Sequence, residues 1–502
     1  MTSWLSLWLA AISIEALCYL NLTKKTMRSR WLRRGLLLAL GCMFIVITFH
    51  LLIIDFWLFL LPSLFLPYQL INLFRAIRFR LQPIRLRSSS LETLCWLSIL
   101  QIGSFGLSYV ITRWLPLTDF VRISALLQAI TAVALCASTI QMWRHMKPQL
   151  EPTPLADSEL PTLSVLVPAR NETIDLQNCL SAIVASDYPK LEIIALDDNS
   201  SDRRTPEIIR GFAHQGVRFV QGREPEGAML AKNHAYNRLL KESSGELVLF
   251  CGVDVLVEPT TLRRLVETLL TEKKTMLSVL PMRPTNEKRR ISFIQAMRYW
   301  WELGFPRRIF NRPPVLSTAW LIKRQSLLDA GGFKAAAQMI TPEAYFAKEM
   351  IKNDGYGFIR ATPRVPLFST KGLDEQFATM VRVRYPQLHR RLSLVAVVTL
   401  FEWLFLIGPF LLLPFSIFTT DVWLFGCSFT AVVALSVMYH IIAVKTRLSN
   451  WYFGGISVPV TFVLDSILMH LSMYRYEFGE VIWHDRSVSR PMLTVIPKLP
   501  ET

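Results

Sequence analysis

The chain has 502 residues, 52% of them hydrophobic, with a net charge of +17 and a mean hydropathy of +0.33. That is too apolar for an ordinary soluble enzyme of this length and fits a basic membrane protein, whose Lys and Arg gather in cytoplasmic loops. Nucleic-acid binding has no recognisable module to carry it, and the seven cysteines form no CxxC pair, so neither a zinc site nor a disulfide framework is indicated.

From the N-terminus, apolar runs long enough for a bilayer core of about 20 helical residues come first. Residues 4–20, WLSLWLAAISIEALCYL, are the first, with a Glu15 that is costly unless it faces other helices. This run precedes its positive cluster, the reverse of the order in a cleaved signal peptide. Lys24, Lys25, Arg28, Arg30, Arg33 and Arg34 follow. Residues 35–74 are too long for one span and divide near Asp55 into 35–54 and 56–74. A second basic cluster, Arg75 to Arg87, precedes spans at 91–111 and 122–142, and Arg144, His145 and Lys147 close the region. Residues 1–147 are thus expected to hold about five transmembrane helices, with all three basic clusters and everything after residue 143 on the cytoplasmic side. Residues 148–160 are Pro-rich and polar and read as a linker.

Residues 161–375 are a different material. Short apolar strands, LSVLVPA (163–169), LEIIALDD (191–198), VRFVQG (217–222) and ELVLFCG (246–252), alternate with amphipathic stretches such as 174–185 and 228–242. That alternation predicts a parallel α/β sheet, so the fold class is a membrane protein with an α/β domain flanked by transmembrane helices. Residues 376–392 mix Arg with apolar and aromatic side chains and are expected to lie as an interfacial helix. The region 393–474 returns to the membrane with runs at 393–418, 422–444 and 451–473. Three full spans would put the basic tail, 475–502, outside; the first run, with Pro409 and Pro414, is therefore expected to be re-entrant.

The polar residues of the middle region stand at strand ends, where open parallel sheets bind ligands. The first strand ends in Pro168, Arg170, Asn171 and Glu172, the second in Asp197 and Asp198. Two acids there can hydrogen-bond a nucleoside's base or ribose, or DDNSSD can be only a turn. The segment EGAMLAKNHAYN (226–237) opens a helix with Gly227, Lys232 and Asn233; its lysine can pair with a diphosphate or be simply exposed. GELVLFCGVDVLVEP (245–259) runs from a buried strand to an isolated Asp254. In MITPEAYF (339–346), Thr341 can cap a helix whose first turn holds Pro342 and Glu343.

Together, in this order, these segments resemble the family 2 glycosyltransferases over about residues 161–391. These are inverting enzymes with a Rossmann-like nucleotide-sugar-binding domain called GT-A, and the membrane-embedded branch is the nearest in layout. The resemblance implies a nucleotide-sugar donor, UDP-linked, held by Pro168, Arg170, Glu172, Asp197, Asp198 and Lys232. It implies Mg²⁺ or Mn²⁺ on Asp254, a general base at Glu343, and diphosphate or acceptor contacts from Arg382, Arg384 and Tyr385. The acceptor would be a lipid or lipid-linked hydroxyl, and the protein a multi-pass protein of the cell membrane with its catalytic domain in the cytoplasm. No nucleic-acid partner is implied.

The chain departs from the family pattern at each catalytic motif. In DxD the first acid is Gly252 and the middle residue Val253, leaving Asp254 alone. Mg²⁺ tolerates one or two protein carboxylates when phosphates and water supply the rest. Glu343 is the carboxylate nearest the position of the family's basic Asp in TED. QxxRW survives only as VRVRY (381–385), whose arginines equally suit a membrane-surface anchor. Two other readings therefore stand beside the enzyme: an inactive GT-A-like scaffold or nucleotide-sugar sensor, and a polysaccharide synthase. A stretch of aromatics and Arg at 293–310 suits either an acceptor entrance or an interfacial belt.

Overall fold

The computed structural model describes residues 64–65, 67–72, 74, 89–114, 116–145, 154–225, 229–283, 299–300, 302, 313–445, 454–478, 481–483 and 486–487. The spans expected at 4–20 and 35–54, much of that at 56–74, the basic clusters at 24–34 and 75–87, Gly227, and most of 293–310 and of the tail lie outside the described residues. The chain forms two compact units. One comprises Met1–Ala132, Arg384–Val432 and Phe462–Phe478; the other comprises Val133–Val383, Val433–Thr461 and Gly479–Thr502.

The second unit is built on a seven-stranded sheet of order β3-β2-β1-β4-β7-β6-β8. Its strands are β1 (Leu163–Ala169), β2 (Leu191–Asp197), β3 (Val217–Gln221), β4 (Leu247–Cys251), β6 (Met276–Leu280), β7 (Ala319–Lys323) and β8 (Tyr356–Arg360). Only β7 runs against the others. Both faces of the sheet are covered, which is why β1 and β4 are continuous apolar runs. Alternate residues feed two cores. Val165, Val167, Leu249 and Cys251 meet Leu176, Leu180 and Ile183 of α3 (Ile174–Val184). Leu166, Val248 and Phe250 meet Ala235, Tyr236 and Leu239 of α5 (Ala231–Glu242).

Other helices of this unit are α4 (Arg204–Gly211), α6 (Thr261–Thr271) and α7 (Pro342–Ile351). An aromatic cluster fixes α7 to the sheet: Phe250 stacks on Trp320 with centroids 4.0 Å apart, and Trp320 stacks on Phe346 at 5.9 Å. A two-stranded ribbon, β5 (Val255–Val257) with β9 (Leu367–Ser369), lies beyond the end of β4 and brings Ser369 and Thr370 to Asp254. The stretch read as a linker is pinned where it is described. Leu155 N–H donates to the buried Glu267 at 3.2 Å, and Lys190 donates to the carbonyls of Ser158 and Leu160, each at 2.8 Å.

Among the described residues, five long helical runs accompany the sheet domain in sequence: α1 (Ser89–Trp114), α2 (Leu117–His145), Leu392–Thr419, α11 (Val422–Lys445) and α12 (Val458–Phe478). Among the described residues, three helices are long and apolar enough to cross a membrane: Leu117–Arg144, Leu392–Thr419 and Val422–Val444. In chain order, α8 (Leu373–Gln387) follows the last strands of the sheet domain and precedes the Leu392–Thr419 run, over the stretch expected to be interfacial.

The run expected to be re-entrant is one unbroken helical rod. It passes from α9 (Leu392–Phe401) through a π-turn, Glu402–Ile407, into α10 (Gly408–Thr419). Its 28 residues reach about 42 Å at about 1.5 Å each. Within the π-turn the Gly408 N–H bonds to the Trp403 carbonyl, and the next N–H in that register would be that of residue 409. Proline has none, which frees the Leu404 carbonyl. The Gln128 amide donates to it at 2.8 Å. A Cβ on Gly408 would lie 3.0 Å from that same Gln128 nitrogen, so the glycine leaves room for the donor. The proline is accommodated by a partner from another helix and does not turn the chain back.

Candidate active site

A cavity of about 380 Å³ opens at the carboxyl ends of β1, β2 and β4. The turn after β1 supplies Arg170, whose guanidinium donates to the carbonyls of Asp198 and Asn199 at 2.5 and 2.6 Å. Asn171 and Asn199 both take left-handed backbone (φ 52° and 55°), which asparagine tolerates. The Asn171 carboxamide oxygen accepts the backbone N–H groups of Ser201 and Asp202. The first two strand ends are thereby locked into one floor, and Pro168, Arg170 and Glu172 line the cavity.

The two acids of β2 part company. Asp198 lines the cavity. Asp197 faces the other way, accepting the Ser200 N–H at 3.2 Å and the Gln221 amide at 2.9 Å, and it does not line the cavity. Successive residues at a strand end point to opposite sides, so one of the two is turned to the cavity.

Asp254 lines the cavity, and Ser369 donates to its Oδ2 at 2.9 Å. Its other oxygen folds back over Gly252: a Cβ there would sit 2.6 Å from Asp254 Oδ1. Gly252 is therefore a cleared space that the surviving acid occupies. Among the described residues, no group of three or more His, Cys, Asp or Glu is placed to hold a metal ion unaided. A hard cation here would need the phosphates of a ligand to complete its oxygen shell, which suits a single carboxylate, Asp254, after the end of β4.

Sequence reasoning missed Asp175. It stands in the first turn of α3, lines the cavity, and accepts from the Thr370 hydroxyl at 3.4 Å. Burial first, then the nearby Glu172 and Asp254 carboxylates, push it above the usual carboxylate range. In the sequence it looks like an ordinary dipole-complementing acid at a helix start. Lys371, Glu375 and Thr379, around the start of α8, and Ile482 of the short strand β10 (Ile482–Trp483) also line the cavity without a signal that marks them.

Glu343 sits in the first turn of α7, buried at the cavity wall, with Lys232 of α5 beside it. Arg382 lines the cavity as well. Arg384 and Tyr385, expected with it at the diphosphate, do not. Two helical residues turn the direction by about 200°. Arg384 donates to both oxygens of Asp465 at 2.5–2.9 Å. Tyr385 is buried, its N–H on Ser472 Oγ at 3.1 Å and its hydroxyl on Glu477 at 2.5 Å.

Residues 164–328 match the sequence model of glycosyl transferase family 2. The chain is 31% identical over 191 residues to a probable glycosyltransferase, YdaM, of Bacillus subtilis, covering 36% of this chain and 45% of that protein. It is 30% identical over 138 residues to the beta-monoglucosyldiacylglycerol synthase of Synechocystis, 26% and 29% of the two chains. Over 174 residues it is 27% identical to the poly-beta-1,6-N-acetyl-D-glucosamine synthase of Staphylococcus epidermidis, 34% and 41% of the two. The chain spans less than half the length of each of these relatives. A solved structure, the mannosyltransferase PcManGT from Pyrobaculum calidifontis in complex with GDP-Man and Mn²⁺, superposes with a TM-score of 0.39 at 20% identity, covering 69% of this chain and 98% of that one. With the matched segment running from β1 past β7 through a Rossmann-like sheet, this chain carries a glycosyltransferase domain of family 2.

Proposed function

We propose that the protein transfers a sugar from a nucleotide sugar to a hydroxyl presented at a membrane, with inversion at the sugar carbon. The observation that carries this reading is the convergence of Asp198, Asp254, Glu343 and Arg382 on one cavity at the strand ends. Asp198 accepts hydrogen bonds from the nucleoside, on a floor shaped by Pro168, Arg170 and Glu172. Asp254 holds Mg²⁺ or Mn²⁺, which when bound neutralises charge on the diphosphate. Arg382 faces the phosphates as the bond from the sugar carbon to the phosphate oxygen breaks and its electron pair leaves with the nucleoside diphosphate. Glu343 takes the proton of the acceptor hydroxyl as the new oxygen–carbon bond forms on the opposite face.

The acceptor in this reading is a lipid or lipid-linked hydroxyl, and the donor is UDP-linked. The support is the three helices apolar enough to span a bilayer and the similarity to a synthase of a glycosylated diacylglycerol. The protein is then a multi-pass protein of the cell membrane with this domain on the cytoplasmic side. The test is calorimetry on the full-length protein in detergent with UDP and with GDP, each with and without Mn²⁺. Transfer from the matching nucleotide sugars to diacylglycerol in phosphatidylcholine vesicles follows. Metal-dependent binding followed by glycolipid formation is expected. A protein that binds neither nucleotide in Mn²⁺ ends the reading.

A further inference from the structure

The helix that brings Lys232 to the cavity also holds the segment leading to Glu343. The buried Asn233 amide donates to three carbonyls in that segment, those of Ala336 at 2.8 Å, Ala337 at 3.1 Å and Met339 at 2.8 Å. Leu230 N–H donates to the Ala337 carbonyl at 2.9 Å. The chain entering α7 is thus fastened to the start of α5. On that fastened frame Lys232 Nζ lies 3.4 Å from Glu343 Oε2, with the lysine side chain 26% exposed and the glutamate 2%. The same ammonium lies 5.4 Å from the centroid of the buried Tyr236 ring.

We propose that Lys232 is a positioning residue for Glu343: its ammonium holds one carboxylate oxygen and leaves the other for the acceptor hydroxyl. This rests on the reading of Glu343 as the base, and it replaces the sequence expectation that Lys232 binds the donor diphosphate. A carboxylate so deeply buried depends on its counter-charge, because an ionised group stripped of water and partner is strongly disfavoured. Moving the lysine to a diphosphate would strand Glu343 when it must be ionised to accept a proton. The diphosphate would have other counter-charges on this cavity, Arg382 and the metal that Asp254 would hold. The proton passes from the acceptor oxygen to Glu343, and Lys232 stays protonated throughout. The tyrosine ring helps to keep the ammonium in place.

The test uses the full-length protein, Lys232→Met and Lys232→Arg, with calorimetry of UDP and GDP in Mn²⁺ and turnover measured as nucleotide release from the matching sugar donor. In Lys232→Met the nucleotide affinity is expected to stay within about 3-fold, while turnover falls about 10²-fold, the order that a misplaced catalytic group costs. Lys232→Arg recovers at least about 10-fold of that loss, since it restores the charge. In a Glu343→Gln background, Lys232→Met costs less than about 3-fold, because two residues that act as one unit do not add. Nucleotide affinity falling about 10-fold or more in Lys232→Met, with a turnover loss that adds to that of Glu343→Gln, overturns the proposal and returns the lysine to the diphosphate. Wild-type protein that binds neither nucleotide overturns the transfer reading and this one with it. Binding intact with Glu343→Gln at full turnover overturns the base and its positioning residue alone.

Discussion

A buried carboxylate is paired with a cation in each unit of the molecule, Glu343 in one and Asp465 in the other, and these two pairs are built differently. Lys232 meets Glu343 through one contact of 3.4 Å at the wall of a cavity. Arg384 grips both oxygens of Asp465 at 2.5–2.9 Å, with side chains 4% and 0% exposed. Arginine's planar fork suits a closed bidentate pair, and lysine's point charge on a flexible stem suits one that leaves an oxygen available. The closed pair has no face left for a ligand; the open one does. Both arginines of VRVRY have the residue type that chemistry at a diphosphate asks for, and the difference between them is only which way the helix turns each one.

The largest expected effect breaks the closed pair. Arg384→Met leaves the Asp465 carboxylate buried without its fork, which typically costs about 3–5 kcal/mol. Recovery of monodisperse protein from membranes is expected to collapse. Arg384→Met combined with Asp465→Leu, which removes both charges, is expected to regain most of it. If Arg384→Met extracted normally and lost turnover alone, the pair would belong to the chemistry and the contrast would fail. Glu343→Gln is the counterpart on the open side. Turnover is expected to drop by about 10²–10⁴-fold, with nucleotide affinity and thermal stability close to wild type. An equal loss of stability in the two variants would erase the distinction.

Gly252→Asp comes next. Restoring the family's first acid would add a Cβ 2.6 Å from Asp254 Oδ1 and a second negative charge beside it. Overpacking of this kind costs about 1–3 kcal/mol, so metal-dependent nucleotide affinity is expected to fall about 10-fold. Tighter binding would mean that the site is a lapsed version of the family's and has not adapted to one acid.

What was readable in the sequence follows the range over which each feature is decided. The strands at 163–169 and 191–197 were legible because burial on both faces writes continuous apolar runs. The start of α7 was legible from Thr341 and Pro342, two adjacent residues. Which acid of β2 faces the cavity was not, since Gln221 on the neighbouring strand holds Asp197 away. Arg384 depends on a carboxylate 81 positions later and Asp175 on a hydroxyl 195 positions later. Pro409 misled because its remedy, Gln128, lies 276 positions from the carbonyl it satisfies. Residue types announce what chemistry is possible; these distant partners decide which of them are left open to do it.

Asp175 offers the smallest and most discriminating effect, because it is a half-buried acid held against other acids and is the reverse of both pairs. Burial, then Glu172 and Asp254, raise its pKa in the folded protein, while unfolded chain titrates near about 3.9. Between the unfolded and folded values the folded state binds more protons, so stability falls as pH rises through that window and the full cost is present above it. Asp175→Asn carries no such charge and still accepts from Thr370. It is therefore expected to melt slightly higher than wild type at pH 7.5, with the gain shrinking as pH falls and lost below about 3, where the wild-type carboxyl is protonated in both states. Thermal unfolding of the two proteins in detergent without added metal, at several pH values, reads this directly. A variant that melts below wild type at pH 7.5 would mean that the Asp175 carboxylate is held by more favourable contacts than unfavourable ones. The cavity's acids would then be compensated as fully as Asp465 is.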